Sequence, residues 1–263
     1  MTSALPPLPL DALAPFRRAE PVMGTVASLH VHHGPDEADT VDRAADAVFD
    51  ALRHDESVFS VFRPDSQVSR VRSGTLDLLD CDREVTDVLD ACTWLEHRSG
   101  GAFSAHRPDG SIDPTGFVKG WSAERASRLL LDAGFEHWCL NVGGDAIVHA
   151  RPGLDPAWRI GLVDPFDRTG ARATIELYSG ALATSGTAER GAHLRDGRTG
   201  APAEYWASFS VIGPSLTWAD AFATTACALG ADGPQWVAQF DGYESIGISA
   251  NGDVVHTAPT PTR

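Results

Sequence analysis

The chain has 263 residues, with 21 basic against 36 acidic side chains and a formal charge of −15. That balance argues against a surface for nucleic-acid phosphates or anionic membranes, both of which need basic residues. At 43% hydrophobic and 22% charged, the composition is that of a globular protein long enough to bury a core.

In chain order, residues 1–20 read as a Pro-rich mobile arm and residues 21–263 as one domain. MGTVASLHVHH (23–33) alternates and predicts a strand. Val41, Ala44, Ala45, Val48, Phe49 and Leu52 recur at helical spacing, and so do Val85, Val88, Leu89, Cys92 and Leu95. Between these helices, Pro64-Asp65 marks a turn. A loop from Gly100 to Gly116 leads to a third helix, from about Gly120 to Ala133. HWCLNVGG (137–144) predicts a strand entering a double-glycine turn, and Trp158–Val163 and Ala173–Tyr178 predict two more strands. Gly180–Gly200 reads as loop-rich. Phe209–Ile212 predicts a strand, Ala219–Leu229 and Gln235–Phe240 helices, and the tail a hairpin turning at Asn251-Gly252. Helices and strands mix without regular β-α-β spacing, so the expected class is α+β.

The four cysteines form no C-x-x-C pair, which fits reduced thiols better than a disulfide framework or a zinc site. The first residues lack a basic n-region and an unbroken apolar stretch, and no later stretch reaches membrane-span length. A cytoplasmic location is the expectation. His30, His32 and His33 have no carboxylate or cysteine cluster near them in sequence and read as an exposed strand. The seven tryptophans are dispersed and read mostly as core.

Four segments gather Gly, Asp, Thr and Ser where regular elements end. In DPTGFVKGWSAERA (113–126), Lys119 falls near a helix start. A cation there opposes the macrodipole, so an anionic ligand or plain solvent exposure must account for it. Lys119 is also the only lysine in the chain. LNVGGDAIV (140–148) offers a double glycine for close backbone approach, or for a tight turn alone. In ALATSGTAERGAHLRDGRTGAP (181–202), Thr184, Ser185 and Gly186 can present hydroxyl and N–H groups to an anion, and His193 can act as base or donor. In WADAFATTACALG (218–230), Asp220 and Thr224 lie one helical turn apart and share a face. Their hard oxygens suit Mg²⁺, whereas the alternative makes Asp220 a helix cap.

Taken in order, these segments resemble the ApbE-like FAD:protein FMN transferase family. The residues that carry the resemblance are Met23-Gly24-Thr25, FSVFRPDSQVSR (59–70), SGGAF (99–103), DPTGFVKGW, NVGGD and GLVDP (161–165). ATSG with Glu189-Arg190, His193 to Gly200, and ADAFATT complete the set. The resemblance implies an α+β fold of antiparallel sheets and packed helices, a T-fold-like duplication with a central flavin cleft. It implies Mg²⁺-dependent transfer of the FMN half of FAD to a Thr or Ser hydroxyl of an acceptor flavoprotein, with AMP leaving. Carried over by residue, it implies Asp220, Thr224 and the Gly116 carbonyl for the metal. For FAD it implies Met23, Phe62, Ser104, Ala105, His106, Asp113, Lys119, Thr184, Ser185, Gly186 and Arg195. Asp220, His193 or metal-bound water is left as the candidate base.

The chain departs from the family pattern at Phe62 (often Tyr), Ala223 (Asp in some members), Gly197 (Pro), Glu124 (often Asp) and in a shortened 101–113 stretch. Some relatives carry Glu in place of Lys119, so Lys119 is expected to face ligand without being a necessary catalyst. Two other readings use the same site: an FAD pyrophosphatase with water as nucleophile, and a non-catalytic flavin-binding protein.

Overall fold

The computed structural model describes residues 13–107, 109–167, 169–187 and 194–258. Its frame is an eight-stranded antiparallel sheet in the order β1-β2-β3-β4-β7-β8-β9-β10. The strands are β1 (Ala14–Val22), β2 (Thr25–His33), β3 (Trp138–Val142), β4 (Asp145–His149), β7 (Ser179–Ser185), β8 (Trp206–Gly213), β9 (Glu244–Ser249) and β10 (Val254–Thr257). A separate two-stranded sheet pairs β5 (Trp158–Val163) with β6 (Ala171–Leu177). The helices are α1 (Ala38–Phe59), α2 (Gln67–Arg72), α3 (Arg83–Arg98), α4 (Thr115–Asp132), α5 (Leu216–Leu229) and α6 (Gly233–Val237).

The order repeats itself. Two strands, a helical connection and two strands make β1-β2-(α1 to α4)-β3-β4, and again β7-β8-(α5, α6)-β9-β10. The halves join edge to edge at β4–β7, with β5–β6 inserted between them. Antiparallel pairing throughout puts every short strand-to-strand connection at one end of the sheet and the helical crossovers at the other. This matches the duplication that the family resemblance implies.

Alternation on β7 shows the layering. Ala181 and Ala183 face the main core beneath α1, α4 and α5, while Leu182 packs with Leu162 and Ile212 under β5–β6. Both faces of β7 are covered. Its run SGALATS therefore shows no polar alternation, and the expected loop from Gly180 is strand as far as Ser185. The expected N-terminal arm is corrected in the same way. From Ala14 it is β1, paired with β2 along its full length, and Pro15 is tolerated because β1 is the sheet edge. Residues 1–12 lie outside the described residues.

Helix α4 begins five residues earlier than predicted, at Thr115. Asp113 starts it by accepting from the Thr115 N–H (3.1 Å) and hydroxyl (2.6 Å). The start of α5 is tied to α4 by Glu124, which accepts from Ser215 Oγ (2.6 Å) and the Thr217 N–H (2.9 Å). A carboxylate at a helix N-terminus is favourable, and here it fixes the two helices side by side.

The histidines of β2 are not an exposed row. His33 is buried, and His32 stacks with His137 (centroids 4.6 Å apart) and with Trp158 (5.9 Å). The His137 Nε2–H donates to the Pro156 carbonyl at 3.3 Å, so its Nδ1 accepts from the His32 Nδ1–H at 2.6 Å. Burial holds both imidazoles below their usual pKa, with Arg17 and the neighbouring histidines adding to this at His32. The unfolded chain therefore takes up protons first as pH falls through 6.5, the ordinary histidine value. Stability is full above that value and declines below it. We expect the urea midpoint to fall between pH 7 and pH 5.5 (about the span of that titration). The fall should be shallower in His137→Phe; equal slopes would show that the pair does not set it.

Candidate active site at the turn end of the sheet

The turn end is built by glycine-permitted hairpins. Met23 (φ 55°) and Gly24 (φ 66°) close β1–β2, and Gly143 (φ 63°) and Gly144 (φ 100°) close β3–β4. Two-residue loops with both φ values positive match the strand twist, and glycine adopts them without strain. The Gly143 N–H donates to the Val26 carbonyl at 3.1 Å, so the two turns lie together, directly before Asp145.

Asp145 opens β4 and is buried. Its Oδ1 accepts from the Thr184 N–H at 2.9 Å, extending the β4–β7 ladder with a side chain. Its Oδ2 pairs with Lys119, and Lys119 Nζ also lies 3.4 Å from Asp220 Oδ1. Asp220 Oδ2 accepts from the Gly120 N–H at 2.9 Å. The lysine thus bridges two buried carboxylates, one from each half of the fold. It sits in the second turn of α4, and these carboxylates account for it structurally; neither solvent exposure nor a helix-start anion is needed.

Asp220 is not a cap. Ser215 caps α5, and Asp220 sits a turn further in, facing α4. Burial pushes its pKa up, and the Asp145 charge adds to this against the pull of Lys119 and the Gly120 N–H. Thr224, one turn on, lies 3.2 Å (Oγ1) from Ser185 Oγ. A Cβ placed on Gly116 would meet Thr224 Cγ2 at 3.4 Å and Phe103 Cε2 at 3.3 Å, so the start of α4 closes over the same point. The Gly120 N–H, which the helix ladder assigns to the Gly116 carbonyl, donates to Asp220 as well. That carbonyl keeps at most a shared claim on its helical donor. Gly116, Lys119, Thr184, Ser185, Asp220 and Thr224 therefore form one cluster. Gly186 ends β7 beside it, 2.3 Å from the Ala207 carbonyl if given a Cβ.

On the other face of β7 lies a small, half-open cleft of about 80 Å³. Gly161–Pro165 and Gly144 line it, with Thr184, Ser208 and Ser210 as its polar wall. The Thr184 and Ser210 hydroxyls are 2.8 Å apart. Consecutive residues of β7 thus serve both places: the Thr184 side chain the cleft, Ser185 the cluster.

The loop residues flank the cluster. Ser104 Oγ donates to Glu96 Oε2 at 3.2 Å and accepts from the His106 N–H at 3.0 Å, while Ala105 is buried. Asp113 pairs with Arg107; burial raises its pKa, but the Thr115 and Arg107 contacts outweigh that and hold it below the usual carboxylate range. Arg195 donates to the Gly200 carbonyl at 3.0 Å. Gly197 has a reason to replace the family's proline: its N–H donates to the Ala102 carbonyl at 2.9 Å, joining the two loops, and proline has no such donor. Met23 packs at the sheet end, part-buried against the core. Phe62 is 91% exposed in the loop after α1 and makes no ring contact among the described residues. His193 lies outside the described residues.

Sequence reasoning missed Asp145. The available signal was an acid directly after a buried strand and a double-glycine turn, a place where a free carboxylate needs a partner. His54, Asp55 and Glu84 also lie close enough to share an ion. Arg125 already bridges Asp55 and Glu84, so those carboxylates have their cation.

The site and fold define a duplicated antiparallel α+β protein with a carboxylate–lysine–hydroxyl cluster where its halves meet. The ApbE family model matches residues 23–106 and 104–246, and the chain belongs to that family. It is 27% identical over 195 residues to the FAD:protein FMN transferase of Escherichia coli K12, covering 68% of this chain and 56% of that protein. The corresponding protein of Salmonella typhimurium is 27% identical over 191 residues, covering 66% and 55%. The chain thus spans little more than half the length of these relatives. Among solved structures, the ApbE protein of Thermotoga maritima superposes with a TM-score of 0.80 at 20% identity, covering 93% of this chain and 97% of that one. The flavin transferase ApbE of Vibrio cholerae gives 0.80 at 20%, covering 94% and 98%. These superpositions share the fold. No helix among the described residues is long and apolar enough to cross a membrane.

Proposed function

We propose that the protein is an FAD:protein FMN transferase. It takes the FMN half of FAD to a Thr or Ser hydroxyl of an acceptor protein. The observation that carries this is the oxygen cluster of Asp220, Thr224 and Gly116 where α4 meets α5, with a hydroxyl-lined cleft on the other face of β7.

The donor set fits a hard divalent cation: one buried carboxylate, a hydroxyl, and a carbonyl whose helical donor also serves Asp220, all oxygen. Held by Asp220, Thr224 and the Gly116 carbonyl, Mg²⁺ would supply charge neutralisation and Lewis acidity toward a pyrophosphate. The chain does the rest. Asp220, held by the Gly120 N–H, supplies the fixed negative charge that recruits the ion. Lys119 sets a positive charge beside the pyrophosphate in a protein of net charge −15. Thr184, Ser208 and Ser210 offer hydroxyls to the bound flavin nucleotide along the cleft. Ser104 to His106, Asp113 and Arg195 are the polar loop groups assigned to FAD in this reading, with Met23 and Phe62 as apolar surface.

In the reaction, the acceptor oxygen attacks the FMN-side phosphorus. The bond from that phosphorus to the bridging oxygen breaks, and AMP leaves on that oxygen. The hydroxyl proton passes to a base, for which Asp220 and His193 are the candidates. The four cysteines form no disulfide among the described residues, in keeping with the reducing, cytoplasmic setting of this reading.

The test is incubation with FAD, Mg²⁺ and candidate acceptors, read by flavin fluorescence in denaturing gels and by intact mass. FMN-sized mass on an acceptor, absent when Mg²⁺ is chelated, is the expected result. Free FMN formed at a rate that acceptors leave unchanged would make the protein a pyrophosphatase. Tight FAD binding with no turnover would make it a flavin carrier.

A further inference from the structure

The position of Lys119 has a consequence for the metal-free protein, and it rests on the metal site proposed above. Asp145 and Asp220 come from opposite halves of the fold and are both almost fully buried. Two such carboxylates cannot face each other in a low-dielectric site without a cation between them. Lys119, the only lysine of the chain, is that cation. Its contacts with these two carboxylates are unequal. It is in close contact with Asp145, whereas Asp220 Oδ1 is 3.4 Å away. The Asp220 contact is therefore the one more easily given up. Asp145 is anchored independently, because its Oδ1 is held by the Thr184 N–H in the extended sheet ladder. The lysine side chain keeps 21% exposure, so it is not sealed in as the two carboxylates are.

We propose that Lys119 is an intramolecular stand-in for the divalent cation. It holds Asp220 in the metal-free protein and withdraws onto Asp145 when the metal binds. Asp145 is then a positioning residue: it receives the ammonium, and its strength as a partner sets how readily Asp220 is surrendered. The exchange takes the cluster from a formal charge of −1 to +1. An anionic substrate is attracted only after the metal has arrived, so metal and pyrophosphate bind in order.

Two substitutions should move metal affinity in opposite directions. Lys119→Met removes the competitor, and Mg²⁺ should bind the FAD-free protein about tenfold more tightly by calorimetry. Its melting temperature without metal should fall below wild type, and saturating Mg²⁺ should raise it by more than it raises wild type. Asp145→Asn removes the closer of the two carboxylates from the lysine, and Mg²⁺ should bind about tenfold more weakly. Lys119→Gln, which keeps a polar chain without the charge, gives the same reading if the methionine variant does not fold. Equal affinities in all variants, shifts of the same sign, or no Mg²⁺ binding in any of them would overturn the exchange. Opposite shifts in a protein that transfers no FMN would keep the exchange and remove the transferase reading.

Discussion

Asp220→Asn is expected to lower Mg²⁺-dependent FMN transfer by on the order of 10³-fold, the scale of losing a principal charge-stabilising group. The same change should leave the melting temperature at or above that of wild type. The amide keeps an oxygen for the Gly120 N–H, 2.9 Å away, and it removes a charge that burial makes unfavourable. The folded-state pKa of Asp220 is raised, so the ionised side chain costs stability at pH values above the ordinary carboxylate range. Such a cost is retained where function needs it. Asp220→Ala should lose activity equally but leave the Gly120 N–H without its acceptor. Transfer at the wild-type rate in either variant would show that Asp220 does not hold the metal. A melting temperature well below wild type in Asp220→Asn would show that the carboxylate is structural.

Gly120→Ala is the second large effect. A Cβ there would meet the Leu216 carbonyl oxygen at 2.6 Å and Asp220 Cβ at 2.7 Å. Both neighbours belong to α5, and Leu216 O is backbone, so the helices have to separate. Overpacking of this kind outweighs the gain in helix propensity, and we expect a net loss of about 2 kcal/mol. That corresponds to a melting temperature lower by roughly 5 °C for a chain of this size. The separation also widens the space between Gly116 and Thr224, so Mg²⁺ affinity should fall along with stability. A variant that melts like wild type would mean that α4 and α5 are not in this contact.

The α+β class was legible because the helices carry long apolar stripes, as in Val41 to Leu52, and the hairpins end in marked turns such as Asn251-Gly252, whereas the duplication entered only through the family resemblance. The misreadings have physical causes. Prolines made β1 look like an arm, because an edge strand tolerates residues that a central strand does not. Small residues made β7 look like a loop, because a strand covered on both faces needs no alternation.

The site was legible as segments and not as a geometry. Asp220 and Thr224 share a helix, so local spacing paired them. Lys119 was singled out by its oddity, but its partners lie 26 and 101 residues away in the chain, at Asp145 and Asp220, and only the fold brings them to it. The motifs therefore pointed to an anionic ligand where the folded chain already supplies two anions of its own. The positions of Ser104 to His106 depend on the join between Gly197 and Ala102, which no local pattern encodes.

The most direct test of the central claim is where a divalent cation sits. Crystals grown with FAD and Mn²⁺ in place of Mg²⁺ give an anomalous signal at the metal. The account predicts a peak among Asp220, Thr224 and the Gly116 carbonyl, with Lys119 drawn onto Asp145. A peak at His54, Asp55 and Glu84, or FAD bound with no metal beside Asp220, would contradict it.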